Sequence, residues 1–254
     1  MHDRTALARR ALAAMDLTSL GEDDPPALAR ALCVAAGTPW GAPAALCVHP
    51  ELVATVREAL AAAGLERVAV ATVANFPDGA ADAGRAVREV RRALAAGADE
   101  VDVVFPYRAL MAGDAAAGAT LLQRCREVQG GRYVLKAILE TGMLAEPALV
   151  RRAADIAIAA GVDFIKTSTG KVAVNATPAA AQAMLQAIHE HGGSCGFKAA
   201  GGIRALDDAA AYFALADRIL GPEWAVPARF RLGASRLLDE VLATLAAAAV
   251  GKPA

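Results

Sequence analysis

Asp163-Phe164-Ile165-Lys166-Thr167-Ser168, followed by Thr169-Gly170-Lys171 and then by a helical segment over Pro178–His191, is the stretch on which the fold turns. Side chains alternate along an extended strand, so Phe164 and Lys166 share one face while Ile165 and Thr167 take the other. A short apolar run that ends in a glycine loop and leads into a helix is one βα unit. The same unit recurs along the chain. Strands are expected at Ala44–Val48, Val68–Val73, Glu100–Phe105, Tyr133–Leu139, Asp163–Thr167, Cys195–Ala199, Arg218–Leu220 and Phe230–Gly233, with helices such as Glu51–Ala63, Gly84–Ala96 and Pro147–Ala160 between them. Eight strands alternating with helices in 254 residues predict an α/β fold, a (β/α)8 TIM barrel, which usually takes roughly 250 residues. An open doubly wound sheet is the alternative, but no G-x-G-x-x-G follows the first expected strand. The expected organisation is a single domain over 1–254. It has extra N-terminal helices in a 1–43 extension (Ala6–Ala14 and Pro25–Ala35, joined by a loop at Asp16–Leu20), a barrel over 44–241, and a C-terminal helix end and tail over 242–254.

Composition narrows the function. Twenty-six basic and 27 acidic residues give a net charge of −1 with no long block of either sign. That leaves no footprint for nucleic acid or for an anionic membrane, and any anion must be caught locally. No apolar run approaches the roughly 20 residues of a membrane span, and the charged N-terminus lacks a signal-peptide core. Cys33, Cys47, Cys125 and Cys195 are far apart with no C-x-x-C pair, which argues against a zinc site and fits a reducing compartment. A cytoplasmic protein is expected.

The lysines point to chemistry. Of five, Lys136, Lys166, Lys171 and Lys198 lie in or just after strand-like apolar runs, while the other 21 basic residues are arginines. Arginine fills the general surface role here, so a strand lysine suggests an amine that can lose its proton and attack a carbonyl. In a barrel, Lys166 would project into the lumen near the C-terminal end of its strand, where active sites of this fold lie. A lysine of pKa ~10.4 is only about 0.04% neutral at pH 7, so such a nucleophile needs desolvation or a nearby cation. Lys198 occupies the matching position on the next strand, roughly 4.8 Å away, and its charge would lower the basicity of Lys166. The competing reading is that each lysine only pairs a buried carboxylate. Asp102, inside the apolar run Glu100–Val104, needs a cationic partner and could bridge the lysines in proton transfer; a purely structural ion pair is the alternative. Lys136 and Glu140 are expected to be structural.

Glycines follow three late strands: Ser168-Thr169-Gly170-Lys171, Ala200-Gly201-Gly202-Ile203-Arg204 and Leu232-Gly233-Ala234-Ser235. Close-approaching backbone N–H groups and helix N-termini there predict a phosphate grip. His189 and His191 at i and i+2 face different sides of a helix, which makes an exposed helix end and not a metal site. No metal site is expected from these histidines or from the cysteines.

Several strings match one family. Met15-Asp16-Leu17-Thr18, Ala71–Pro77 (ATVANFP), Glu100–Met111 (EVDVVFPYRALM), Asp163–Pro178 (DFIKTSTGKVAVNATP) and Gly196–Gly202 (GFKAAGG) resemble deoxyribose-phosphate aldolase. The resemblance implies a class I aldolase that reversibly cleaves 2-deoxy-D-ribose 5-phosphate into D-glyceraldehyde 3-phosphate and acetaldehyde, with no metal and no organic cofactor because the lysine Schiff base is the electron sink. Carried over, Lys166 is the Schiff-base nucleophile, Lys198 the lysine that perturbs it and Asp102 a participant in the proton relay. Asp16, Thr18 and Cys47 match positions near the active site, and Gly170, Lys171, Gly201, Gly202, Gly233 and Ser235 match phosphate-binding loops. The expected partners are the sugar phosphate and acetaldehyde, with a homodimer left open. The chain departs from many relatives at Ala199 (Pro) and at Arg236 (a second Ser), and from some in ending without a terminal Tyr. A transaldolase-like enzyme and a non-catalytic sugar-phosphate-binding barrel remain the competing functions.

Overall fold

The computed structural model describes residues 3–250, so the tail Gly251–Ala254 lies outside the described residues. Eight parallel strands close into a barrel in chain order: β1 Met15–Thr18, β2 Ala45–Cys47, β3 Ala69–Ala74, β4 Glu100–Val104, β5 Val134–Ile138, β6 Phe164–Lys166, β7 Gly196–Ala200 and β8 Phe230–Ala234. Closure is made by β1 against β8, with Asp16 level with Gly233 and Leu17 level with Ala234. That pairing rules out the open sheet.

The helices are α1 Arg4–Ala13, α2 Pro26–Ala36, α3 Val53–Ala62, α4 Ala83–Ala95, α5 Tyr107–Met111, α6 Ala115–Arg126, α7 Thr141–Leu144, α8 Pro147–Ala159, α9 Pro178–Glu190, α10 Leu206–Leu220 and α11 Leu237–Val250. Local chemistry sets their starts. Asp82, Asp114 and Thr177 accept from the backbone N–H groups of Arg85, Ala117 and Ala180, satisfying donors that the first helical turn leaves free. Pro147 and Pro178 occupy first-turn positions, where a missing N–H costs nothing. No helix among the described residues is long and apolar enough to cross a membrane.

Two expectations about the strands are corrected. The barrel begins at Met15 and not at Ala44: the segment expected to be a loop at Asp16–Leu20 supplies β1, so the 1–43 extension contains a barrel strand. Arg218–Leu220, expected as a strand, is instead the last turn of α10. Asp208 starts that helix by accepting from the N–H of Ala205, and Ala209, Tyr212, Phe213 and Ala216 bury one face at helical spacing. The strand count of eight therefore stands with one member exchanged. The C-terminal helix runs over Leu237–Val250, so the stretch from 242 to 250, expected as a helix end, is its C-terminal part.

Alternation along the strands separates two interiors. Leu17, Leu46, Val70, Val101, Val103, Leu135, Ile165, Phe197 and Leu232 face outward into the main apolar core shared with the helices. The other set faces the lumen, where β2 and β3 contribute a small cluster of Ala45, Cys47 and Ala71, and β1 and β4 to β8 contribute charged side chains. Gly196 makes room for a lumen ring: a Cβ there would lie 2.5 Å from Phe164 and 2.9 Å from the Arg229 carbonyl oxygen. Gly196→Ala is expected to destabilise the barrel by roughly 1–3 kcal/mol through overpacking, read as a shifted urea midpoint at unchanged m-value.

Candidate active site

The lumen charges arrive by strand register. Asp102 on β4 is level with Lys136 on β5, Ile138 with Lys166 on β6, Lys166 with Lys198 on β7, and Lys198 with Arg231 on β8. Asp102 is fully buried and binds three ammonium groups. Its Oδ1 accepts from Lys136 Nζ at 2.8 Å, and its Oδ2 accepts from both Lys166 Nζ and Lys198 Nζ, each at 2.8 Å. Lys198 Nζ also sits 2.5 Å from Asp16 Oδ2, an ion pair whose angle leaves that oxygen without a hydrogen-bond donor. Beneath these, Arg231 donates to Asp16 Oδ1 at 2.6 Å and to Glu100 Oε1 at 3.0 Å, while Lys136 Nζ lies 2.5 Å from Glu100 Oε2.

The three lysines are not equivalent. Burial drives every ammonium toward the neutral form, and each lysine's neighbours decide whether the shift survives. For Lys166, burial outweighs the attraction of Asp102, the charge of Lys198 adds to the loss, and its basicity falls below that of an ordinary lysine. For Lys198, Asp102 and Asp16 together overcome burial and hold it protonated. Lys136, faced by Asp102, Glu100 and Asp16, is raised in the same way. The register of β6 and β7 alone pointed to Lys198 as what lowers Lys166; desolvation is the larger cause. On the anionic side, burial opposes ionisation of Asp102, but Lys136, Lys166 and Lys198 outweigh it and keep the carboxyl well below the usual range.

Lys166 also differs in access. It lines a cavity of about 330 Å³ at the C-terminal end of the barrel, whereas Lys136 and Lys198 are wholly enclosed. Three loops converge on this cavity: Thr169, Gly170 and Lys171 after β6, Gly201, Gly202, Ile203 and Arg204 after β7, and Ser235 and Arg236 between β8 and α11. Thr18 and Leu20, at and after the end of β1, form the facing wall. Gly170, Gly201 and Gly202 have φ of +86°, +83° and +86°, a region that L side chains rarely adopt. A Cβ on Gly201 would also lie 2.7 Å from Asn175.

Of the residues singled out by sequence, Lys166, Thr18, Gly170, Lys171, Gly201, Gly202, Gly233 and Ser235 line this one cavity. Asp102 and Lys198 lie just beneath it as partners of Lys166. Asp16 and Cys47, expected beside substrate, are fully buried and do not line it; Asp16 belongs to the charge network, and burial pushes the Cys47 thiol up. Gly233 has a second role. It lies within β8, where a Cβ would come 3.2 Å from Lys198 Cε and 2.9 Å from Ala200 Cβ, so its missing side chain leaves space for Lys198. Glu140 joins the β6 loop and not the lysines, accepting from Thr169 N at 3.2 Å and from Thr169 Oγ1 at 2.5 Å. Thr169 Oγ1 in turn accepts from Lys171 N at 3.0 Å, which orders the loop.

Sequence reasoning missed Arg204 as a lining residue and Glu100 and Arg231 as members of the lumen network. The signal for Glu100 and Arg231 was period two: Glu100 stands two residues before Asp102, and Arg231 two before Gly233, on the lumen face. At the cavity, Lys171, Arg204 and Arg236 are exposed and, among the described residues, make no ion pair.

A closed eight-stranded barrel with a desolvated lysine opening onto a cationic, glycine-lined cavity has the architecture of a barrel aldolase. The family model for DeoC/LacD family aldolases matches residues 10–238, and the chain belongs to that family. It is an aldolase, a carbon–carbon lyase. Solved structures agree. The apo form of a candidate deoxyribose-phosphate aldolase from Toxoplasma gondii superposes with a TM-score of 0.88 at 25% identity, covering 96% of this chain and 97% of that one. One from Coccidioides immitis gives 0.79 at 25% identity over 93% and 87% of the two chains. The deoxyribose phosphate aldolase from Aeropyrum pernix gives 0.75 at 23% identity over 98% and 94%, a likeness of fold.

Proposed function

We propose that this aldolase reversibly cleaves 2-deoxy-D-ribose 5-phosphate into D-glyceraldehyde 3-phosphate and acetaldehyde through a Schiff base on Lys166. The observation that carries the reading is that Lys166 alone of the three lumen lysines both reaches the cavity and has lowered basicity. Its free amine attacks C1 of the open-chain sugar phosphate, and loss of water gives an iminium that draws electrons from the C2–C3 bond. Removal of the 3-hydroxyl proton breaks that bond and releases glyceraldehyde 3-phosphate. The enamine left on Lys166 takes a proton at C2, and water then frees acetaldehyde and restores the amine. Asp102, hydrogen-bonded to both Lys166 and Lys198, is the group that takes part in proton relay at the reacting nitrogen, while Lys198, held protonated, supplies the fixed positive charge beside it.

The phosphate lies in the cavity among Gly170, Gly201, Gly202 and Ser235, with Lys171, Arg204 and Arg236 supplying charge. Arg236→Glu is expected to raise KM for the phosphorylated sugar by roughly 10-fold or more with a smaller change in kcat, because an exposed cation on a distant substrate group contributes uniform binding. Steady-state kinetics on deoxyribose and its 5-phosphate read the difference.

Product analysis tests the substrate. Incubation with 2-deoxyribose 5-phosphate should yield acetaldehyde and glyceraldehyde 3-phosphate in equal amounts. Cleavage of a ketose phosphate, with no acetaldehyde formed from the deoxysugar, would move the assignment to a transaldolase-like reaction.

A further inference from the structure

Four cationic side chains and three carboxylates are joined by ion pairs in the lumen, the nearby Glu140 pairing with Thr169 instead, and this inequality gives the buried layer beneath Lys166 a role. Lys136, Lys166, Lys198 and Arg231 face Asp16, Glu100 and Asp102. With Lys166 protonated, four cations meet three anions in a buried site; with Lys166 neutral, three meet three. An uncompensated buried charge is strongly disfavoured. We propose that Arg231 and Glu100 are positioning residues for Lys166, fixing the number of lumen charges so that the ion pairs close with Lys166 as the free amine. The inference extends the reading of Lys166 as nucleophile and rests on it for its catalytic meaning.

The geometry gives Arg231 and Glu100 this reach without contact with the cavity. Arg231 is 7% exposed and holds Asp16 and Glu100 together, with its Nε donating to the Pro227 carbonyl at 2.5 Å and its guanidinium 5.5 Å over the Phe164 ring. Asp16 then meets Lys198, Glu100 meets Lys136, and both lysines meet Asp102, the one carboxylate among the described residues that touches Lys166. The strands around Lys166 supply the remaining polar groups. β1 presents Asp16, β2 Cys47, β4 Glu100 and Asp102, β5 Lys136 and the following Glu140, β7 Lys198 and β8 Arg231, while β3 presents only apolar side chains such as Ala71. Cys47 is pushed up by burial, and so is Glu140, which makes no ion pair with any of the lumen cations. Both groups are common to every variant compared below.

The inequality predicts shifts of opposite sign. Arg231→Met leaves three lysines against three carboxylates, closed only with Lys166 protonated, so the pH at which Lys166 becomes a free amine rises by roughly one unit or more. Glu100→Gln leaves two carboxylates, and protonating Lys166 would then add a second excess charge, so that pH falls. The double variant has Lys136 and Lys198 against Asp16 and Asp102, closed again with Lys166 neutral, and it returns toward the wild type. A role confined to holding the barrel together gives two variants that are both worse and a double variant that is worse still.

The experiment is acylation of Lys166 with acetic anhydride across pH, followed by peptide mass mapping, in folded wild type, Arg231→Met, Glu100→Gln and the double variant. The expected result is a labelling midpoint that is higher, lower and restored, respectively, with neutral-pH cleavage by Arg231→Met falling about tenfold for every pH unit by which its midpoint rises. Shifts of the same sign, or a double variant no nearer wild type than either single one, overturn the proposal. Should Arg231→Met fail to fold, Glu100→Gln decides alone, because a midpoint that stays or rises overturns it. Labelling shifts as expected in a protein that forms no aldehyde adduct on Lys166 support the charge coupling and reject Lys166 as the nucleophile.

Discussion

Replacing Lys166 by Met is expected to abolish cleavage, by on the order of 10⁴- to 10⁶-fold in kcat, while leaving the melting temperature unchanged or raised. The two halves of that result have one cause. The folded pKa of Lys166 is depressed, so between that value and the unfolded value of about 10.4 the unfolded chain binds the extra proton, and stability rises with pH across the window. At neutral pH the desolvated amine is therefore a cost to the fold, which an apolar side chain of similar length removes. Lys198→Met carries the opposite expectation for stability. Its folded pKa is raised, so its contribution is fully present below about pH 10.4 and is lost only as pH rises through the folded value. Removing it leaves Asp16 and Asp102 buried with fewer partners and should cost roughly 3–5 kcal/mol. Thermal melts of the two variants side by side separate a nucleophile from a structural cation.

Asp102→Asn is expected to lose both stability and activity. The carboxylate touches Lys136, Lys166 and Lys198 at 2.8 Å each, so its neutralisation leaves the lumen with an uncompensated charge. The expected loss is roughly 3–5 kcal/mol, with turnover down by about 10²- to 10⁴-fold from the missing proton carrier. Its pH signature follows from its sign. The Asp102 pKa is depressed in the folded protein, so its stabilisation is present above the unfolded value of about 3.9 and drains away as pH falls below it toward the folded value. Urea titrations from pH 3 to 7 should therefore show wild type and Asp102→Asn converging at the acid end. A constant gap between them across that range would contradict the ionic role.

Much of this was legible in the residues, for identifiable reasons. Lys166, Lys198 and Asp102 stood out because a charge inside an apolar strand is costly and needs a partner, and the strand period put all three on the lumen face. The glycine loops were legible because they followed strands at the end where barrel sites lie. What failed was short and local. Met15–Thr18 read as a loop because Asp16 interrupts it, and the partners that make Asp16 acceptable, Lys198 and Arg231, stand 182 and 215 residues further along the chain. Arg-Ile-Leu at 218–220 carried no period at all; the helix there is decided by apolar spacing from Ala209 onward and by the Asp208 cap. The roles of Glu100 and Arg231 were hidden because an ion network is a property of closure, which brings β8 to β1. The weight of desolvation over Lys198 in setting Lys166 depends on burial in three dimensions.

The proposed chemistry stands or falls on Lys166 being the amine that holds substrate covalently. The decisive experiment is to incubate the protein with 2-deoxyribose 5-phosphate and borohydride and then map the peptides by mass. A reduced acetaldehyde- or sugar-phosphate-sized adduct on Lys166, absent from Lys136, Lys171 and Lys198, is the predicted result. An adduct on another lysine, or cleavage undiminished in Lys166→Met with no adduct anywhere, would contradict it.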